Sequence, residues 1–69
     1  MYMYLLNIHY DDTVTDFIAD VNTFSFATEL LLRGIYTEQP RDDQLLFGSE
    51  QDRTYAVISY TGNGTLECV

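Results

Sequence analysis

Thr23-Phe24-Ser25-Phe26-Ala27-Thr28-Glu29-Leu30-Leu31-Leu32-Arg33-Gly34 is the stretch whose reading decides the fold. It reads as a helix. Thr23 offers a hydroxyl to cap the first turn, and Glu29 stands four residues before Arg33, the favourable order for an ion pair on one helix face. Gly34 supplies a left-handed residue to end the helix. Phe24, Ala27, Leu30 and Leu31 fall on one apolar stripe, and a stripe of that kind needs a sheet to cover it.

Working outward, Tyr2 to Tyr10 alternates. Tyr2, Tyr4, Leu6, Ile8 and Tyr10 share one face, expected to meet the helix, and Met1, Met3, Leu5, Asn7 and His9 share the other. Asp11-Asp12 reads as a turn. Two readings compete for Thr13 to Val21. Val14, Phe17, Ile18 and Val21 fit a helical stripe that Asp12 could cap. The β-branched content and the alternation of Thr15, Phe17, Ala19 and Val21 favour a strand, and Asp12, Asp16 and Asp20 would repel at helical spacing. The strand reading is preferred, with Asp16 and Asp20 facing solvent either way.

Beyond Gly34, a polar loop runs through Pro40, Arg41, Asp42 and Asp43 to a short strand, Gln44 to Gly48. Ser49 to Asp52 reads as a turn and Thr54 to Thr61 as a long strand. Gly62-Asn63-Gly64 then signals a hairpin into Thr65 to Val69. A three-residue loop pairing Tyr60 with Leu66 and Ile58 with Cys68 is preferred over a two-residue turn, because it separates apolar from polar positions. The sum is a single α+β domain over residues 1–69. One helix packs on a mostly antiparallel four- to five-stranded sheet in β-β-α-β-β-β order, with Ala56, Ile58, Tyr60, Leu66 and Cys68 in the core. The far side of that sheet would expose Met3, Leu5, Asn7, His9, Asp16, Ile18, Asp20, Tyr55, Val57, Ser59 and Glu67. An apolar strip among carboxylates there is the mark of an interface.

A chain of 69 residues has a small core and gains from oligomerising or docking on a partner. One cysteine, Cys68, precludes an internal disulfide and favours a reduced, cytoplasmic setting. Met1 to Leu6 is too short to span a bilayer and lacks the basic flank of a signal peptide. Eleven acids oppose three arginines and no lysine, for a formal charge of −8. That balance disfavours direct nucleic-acid binding, which needs clustered cations. Halophilic adaptation also yields acid without lysine, but this chain is rich in Tyr, Phe, Leu and Ile.

No motif carries catalytic chemistry. Cys68 and His9 are the available nucleophile and base, and the expected register holds Cys68 inside and His9 outside. Neither His9 with Asp11 and Asp12, nor Asp42 with Asp43, has the spacing of a zinc site or a calcium loop, so no metal or other cofactor is expected. An Asp16–Asp20 pair lacks a desolvating pocket; aspartates folded inward around a cation, or lining a cleft with His9, would overturn the reading of a protein that is bound instead of transforming a substrate. Asn63-Gly64-Thr65 matches a glycosylation sequon but reads as a turn.

The acids remain. Asp11, Asp12, Asp16 and Asp20 cluster within ten residues, and Glu38, Asp42, Asp43, Glu50 and Asp52 form a second zone. Such an array offers a phosphate-like surface to a basic protein. In size, charge and lack of catalytic residues the chain resembles small acidic phage-encoded inhibitors, the anti-CRISPR and DNA-mimic anti-restriction proteins. Phe17-Ile18-Ala19-Asp20-Val21-Asn22-Thr23-Phe24-Ser25-Phe26-Ala27 is similar to the strand-into-helix entry of some of them. The resemblance implies a viral, non-enzymatic inhibitor in the host cytoplasm, bound to a nucleic-acid-handling protein. It assigns no individual residue. Read from the residues, Asp11, Asp12, Asp16 and Asp20 make the contacts, with Ile18 and Tyr55 as apolar anchors. The alternative is a small homodimeric or accessory module that buries the open sheet face.

Overall fold

A computed structural model describes residues 1–69. Its elements run β1 (Tyr4–His9), α1 (Asp16–Leu32), β2 (Thr37–Arg41), β3 (Gln44–Phe47), α2 (Glu50–Ser59) and β4 (Thr65–Cys68). The class is α+β, with two helices and a four-stranded antiparallel sheet in the order β2-β3-β1-β4. Each helix joins two strands that run parallel but are separated by a third, which is the split β-α-β, or ferredoxin-like, arrangement. No helix is long and apolar enough to cross a membrane.

Strand β1 alternates as its sequence requires. Leu6 and Ile8 are buried and pair with Leu45 and Leu66. Phe26 and Leu30 of α1 and Ala56 of α2 close over Leu6, Leu45 and Phe47 in one cluster, so both helices cover the same face. On the other face Leu5 opposes Leu46 and Asn7 opposes Gln44, whose amide donates to Asn7 Oδ1 at 2.9 Å. Pro40 lies where the β2–β3 register shifts, on an edge strand that tolerates its missing N–H.

Thr13 to Val21 is not a strand. Thr15 caps α1, its hydroxyl accepting from the Ile18 amide, and the helix runs from Asp16. The repulsion expected along Asp12, Asp16 and Asp20 does not build up. Asp12 stands outside the helix, Asp16 in the first turn faces the positive end of the helix dipole, and Asp20 accepts from Gln39 at 2.9 Å. Thr23 is therefore an interior residue of α1 instead of its cap. Leu32 to Gly34 closes the helix as expected, with Gly34 at φ +83°. Glu29 and Arg33 form no ion pair; the two in the chain are His9–Glu67 and Glu50–Arg53.

The core stripe of α1 is also rotated from expectation. Ala19, Thr23, Phe26 and Leu30 face inward. Phe24 and Leu31 point out, 65% and 50% exposed, as does Phe17 at 73%.

The stretch expected as the strand Thr54 to Thr61 is helical through Ser59, where α2 ends. Ser49 caps α2 by accepting from the Asp52 amide, and only Arg53 and Ala56 are buried along it. Ile58 and Tyr55 are exposed, so neither joins a sheet. No hairpin forms at Gly62-Asn63-Gly64. That segment returns the chain from α2, and β4 pairs with β1 instead of with a strand holding Tyr60. Gly64 is at φ +93°, and a Cβ there would collide with the His9 carbonyl oxygen. Cys68, expected in the core, lies exposed on the last strand. Arg53 is the one buried charge; its Nη1 donates to the Leu5 and Val69 carbonyls at 3.0 and 2.9 Å, and its guanidinium stands 5.7 Å from the Tyr4 ring centre.

Leu30 is fully buried where helix meets sheet. Leu30→Ala should lower the unfolding free energy by about 3 kcal/mol in urea denaturation. A loss under about 1 kcal/mol would contradict the packing described.

Candidate functional site

Five of the eleven acidic residues meet at one end of the molecule. The loop after β1 carries Asp11 and Asp12, α1 begins with Asp16, and the β2–β3 turn carries Asp42 and Asp43. These five carboxylates line one open depression of about 370 Å³, with His9, Tyr10, Val14 and Ala19. A backbone turn shapes its mouth, as Asp11 Oδ1 accepts from the Thr13 amide at 3.1 Å.

A chain of polar side chains holds these loops in place. Thr23 donates its hydroxyl proton to the Asp42 carbonyl at 2.7 Å, which fixes the tip of the β2–β3 turn. With that proton committed, the Tyr10 hydroxyl must donate to Thr23 Oγ1, 2.6 Å away. Asn22 Nδ2 donates to the Tyr10 and Tyr60 hydroxyl oxygens at 2.8 and 3.1 Å. Tyr60 donates onward to the Asn63 carbonyl at 2.6 Å, and Asn63 Oδ1 accepts from the Asp11 amide at 2.9 Å. One relay thus ties β1, α1, the β2–β3 turn and the α2–β4 connection to the rim of the depression. Donor directions in such a relay are mutually fixed, so its members act as a unit.

Burial, and next the nearby Tyr10, push the Tyr60 phenol up to about 12. On the open sheet face the Glu67 carboxyl is held below its ordinary value by hydrogen bonds from His9, 2.7 Å away, and then from Asn7. None of the five carboxylates of the depression takes part in an ion pair, because the only pairs engage Glu67 and Glu50.

Of the residues expected to contact a partner, Asp11, Asp12 and Asp16 come together here, joined by Asp42 and Asp43 from the second acidic zone. Asp20 lies one turn further along α1, held by Gln39. Ile18 sits on α1 and Tyr55 on α2, both exposed and neither lining the depression. Asp16, Ile18, Asp20, Tyr55, Val57 and Ser59 belong to the helices, so the open sheet face proposed for them carries none. That face also lacks the aromatic side chains that stack bases in RNA-binding sheets, since Tyr4 and Phe47 share the helix-bearing face with Leu6 and Leu45.

Asp11, Asp12 and Asp16 are exposed, as the sequence reading expects, yet they line an open depression with His9, the arrangement expected to tell against a purely bound role. Its chemistry is limited. Asp11, Asp12 and Asp16 are exposed, the His9 imidazole is engaged by Glu67, and no three His, Cys, Asp or Glu side chains group closely enough to hold a metal ion. Asp42 and Asp43 are half-buried, and Asp43 Oδ1 is buried without a hydrogen-bond partner. With three of the five carboxylates exposed, a rim of like charge suits docking better than acid catalysis, which needs a desolvated carboxyl in a pocket.

Two features escaped the sequence reading: the arrival of Asp42 and Asp43 at this rim, and the second apolar stripe of α1. The first depends on strand pairing, whereas the second was visible as 4-3-4-3 spacing over Phe17, Val21, Phe24, Thr28 and Leu31. Compared with family models, with curated proteins and with solved structures, the chain matches none.

Two titrations check the electrostatics. The fold stabilises the neutral Tyr60 phenol, a contribution complete below pH 10.0 and lost as pH rises through about 12. Absorbance at 295 nm should show one tyrosine lagging the rest, and Tyr60→Phe should abolish the lag. A carboxyl whose folded value is depressed adds stability above its unfolded value and loses it as pH falls. Carbon-detected NMR should place the Glu67 midpoint below 4.5, with His9→Ala moving it back up; no change in His9→Ala would refute the pairing.

Proposed function

We propose that the protein is a non-enzymatic inhibitor that docks its acidic end onto the nucleic-acid-binding surface of a basic partner protein. The observation that carries the reading is the grouping of Asp11, Asp12, Asp16, Asp42 and Asp43 on one rim with no cation paired to any of them. Unpaired like charges cost stability, and a basic partner would relieve that cost while gaining steered association. The relay through Tyr10, Thr23 and Asn63 supports the reading further, because it holds the rim loops before any partner arrives. In size and charge the protein resembles the small acidic phage-encoded inhibitors, and a cytoplasmic site of action in a host cell goes with that resemblance.

Ile18 and Tyr55 are assigned only to the periphery of such a contact. Asp20 contributes through its charge, since Gln39 occupies one of its oxygens.

Affinity capture from candidate host cells should recover a nucleic-acid-binding protein whose retention competes with duplex DNA. Retention should fall at least tenfold between about 50 and 300 mM salt. Asp12→Asn with Asp16→Asn should cut it comparably without changing the circular dichroism. A captured partner indifferent to DNA, to salt and to the double substitution would refute the proposal.

A further inference from the structure

The outer face of α1 is apolar where a solvated helix face is polar. Phe17, Val21, Phe24, Thr28 and Leu31 recur at alternating four- and three-residue steps, the spacing of a coiled-coil seam. All five are exposed, and the inward stripe of the same helix is separately satisfied by the core. The face is therefore a second seam.

Its relief is specific. Phe24, Ala27, Thr28 and Leu31 stand at i, i+3, i+4 and i+7, the four corners of a hole that receives a side chain from a facing helix. Tyr2 and Tyr36 extend its walls, and the groove measures about 300 Å³. The hole is deep because Ala27 and Thr28 are small, so it needs a large occupant. Phe24 itself, 65% exposed beside it, is that occupant on a facing helix.

The geometry points to a second copy of this chain as what covers α1, docked antiparallel so that each Phe24 fills the hole beside Thr28 of the other. A two-fold axis between the levels of Phe24 and Thr28 makes the contact isologous, and it sets Val21 opposite Leu31 of the second copy. A parallel pair would offer the hole Val21 or Thr28, both too small to fill it.

Charge favours the same arrangement. Each chain carries −8, and the centre of this face, Phe17, Val21, Phe24, Thr28 and Leu31, holds none of it; Asp16 and Asp20 stand on one flank, Asp20 held by Gln39, and Glu29 on the other. The antiparallel sense sends the two acidic ends to opposite ends of a helix about 25 Å long, where a parallel pair would press them together. Phe17, Ile18, Phe24, Leu31, Leu32 and Tyr36 are each at least half exposed. Together with Tyr2 and Val21 they offer on the order of 800 Å² per chain, the area of a standard stable interface. An anionic membrane is a poor occupant for so acidic a chain. The acidic depression plays no part in this contact.

Sedimentation equilibrium of the full chain at up to about 100 µM should give twice the 8.0 kDa chain mass. Phe17→Asp and Phe24→Asp should each weaken association at least ~100-fold with far-ultraviolet circular dichroism unchanged. Leu5→Asp on the open sheet face, if folded, should leave the dimer intact. In a Cys68→Ser background, mixed Val21→Cys and Leu31→Cys chains should oxidise to a cross-linked pair, and Val21→Cys alone should not. A folded monomer throughout that range overturns the inference, as does a dimer indifferent to Phe24→Asp. A Val21→Cys homodisulfide overturns the antiparallel sense. A monomer that binds zwitterionic phosphatidylcholine vesicles through this face, and loses them on Phe24→Asp, overturns it in favour of lipid.

Discussion

Thr23 lies fully buried in the middle of α1, and its hydrogen bonds to Tyr10 and the Asp42 carbonyl set the rotation of that helix on the sheet. A hydroxyl enters a small core at little cost only where partners wait for it. They wait at one azimuth, which turns Ala19, Phe26 and Leu30 inward along with Thr23. The larger Phe24 is thereby sent to solvent. Apolar volume alone would have chosen the opposite, with Phe24 inside and Thr23 on the rim. The same bonds hold the β2–β3 turn, so the phase of the helix and the placement of Asp42 and Asp43 are consequences of one contact.

Two surfaces with opposite character follow. The end nearest the start of α1 gathers carboxylates that no cation pairs, relieved by solvent, by the helix dipole and, for Asp11, by the Thr13 amide. The outer face of α1 is apolar along its centre, with Asp16, Asp20 and Glu29 kept to its edges. A chain of 69 residues has little interior to spare, and its one buried cation, Arg53, donates to backbone carbonyls at the end of the β1–β4 pair and pairs with Glu50 at 3.8 Å, away from the acidic rim. The acidic end is thus left unneutralised by the protein's own arginines. Neither surface is explained by the stability of the isolated fold, which is why both are read as places for other molecules.

Much of the architecture was legible where one physical signal dominated. The alternation of Tyr4, Leu6 and Ile8 against Leu5, Asn7 and His9 marked β1 and its faces, and Gly34 marked the end of α1. The start of α1 was hidden by β-branched residues from Thr13 to Val21, whose intrinsic preference for strand was overridden by packing on the sheet. The Thr15 cap carries no acidic partner three residues on, so it leaves a faint trace. For α2 the trace was present in Ser49-Glu50-Gln51-Asp52, a capping pattern outweighed by the alternation of Tyr55, Val57 and Ser59. Only two positions of that helix are buried, too narrow a stripe to show helical periodicity. The acidic cluster was half legible. Asp11, Asp12 and Asp16 are neighbours in sequence, while Asp42 and Asp43 join them only through the β2–β3 turn.

The account rests on which side of α1 faces the sheet. A nuclear Overhauser spectrum of the labelled protein measures this directly. Thr23 methyl protons should show cross-peaks to the Tyr10 ring, and the Phe24 ring should show none to Leu6 or Phe47. Cross-peaks from Phe24 to Leu6 and Phe47, with Thr23 silent toward Tyr10, would contradict it.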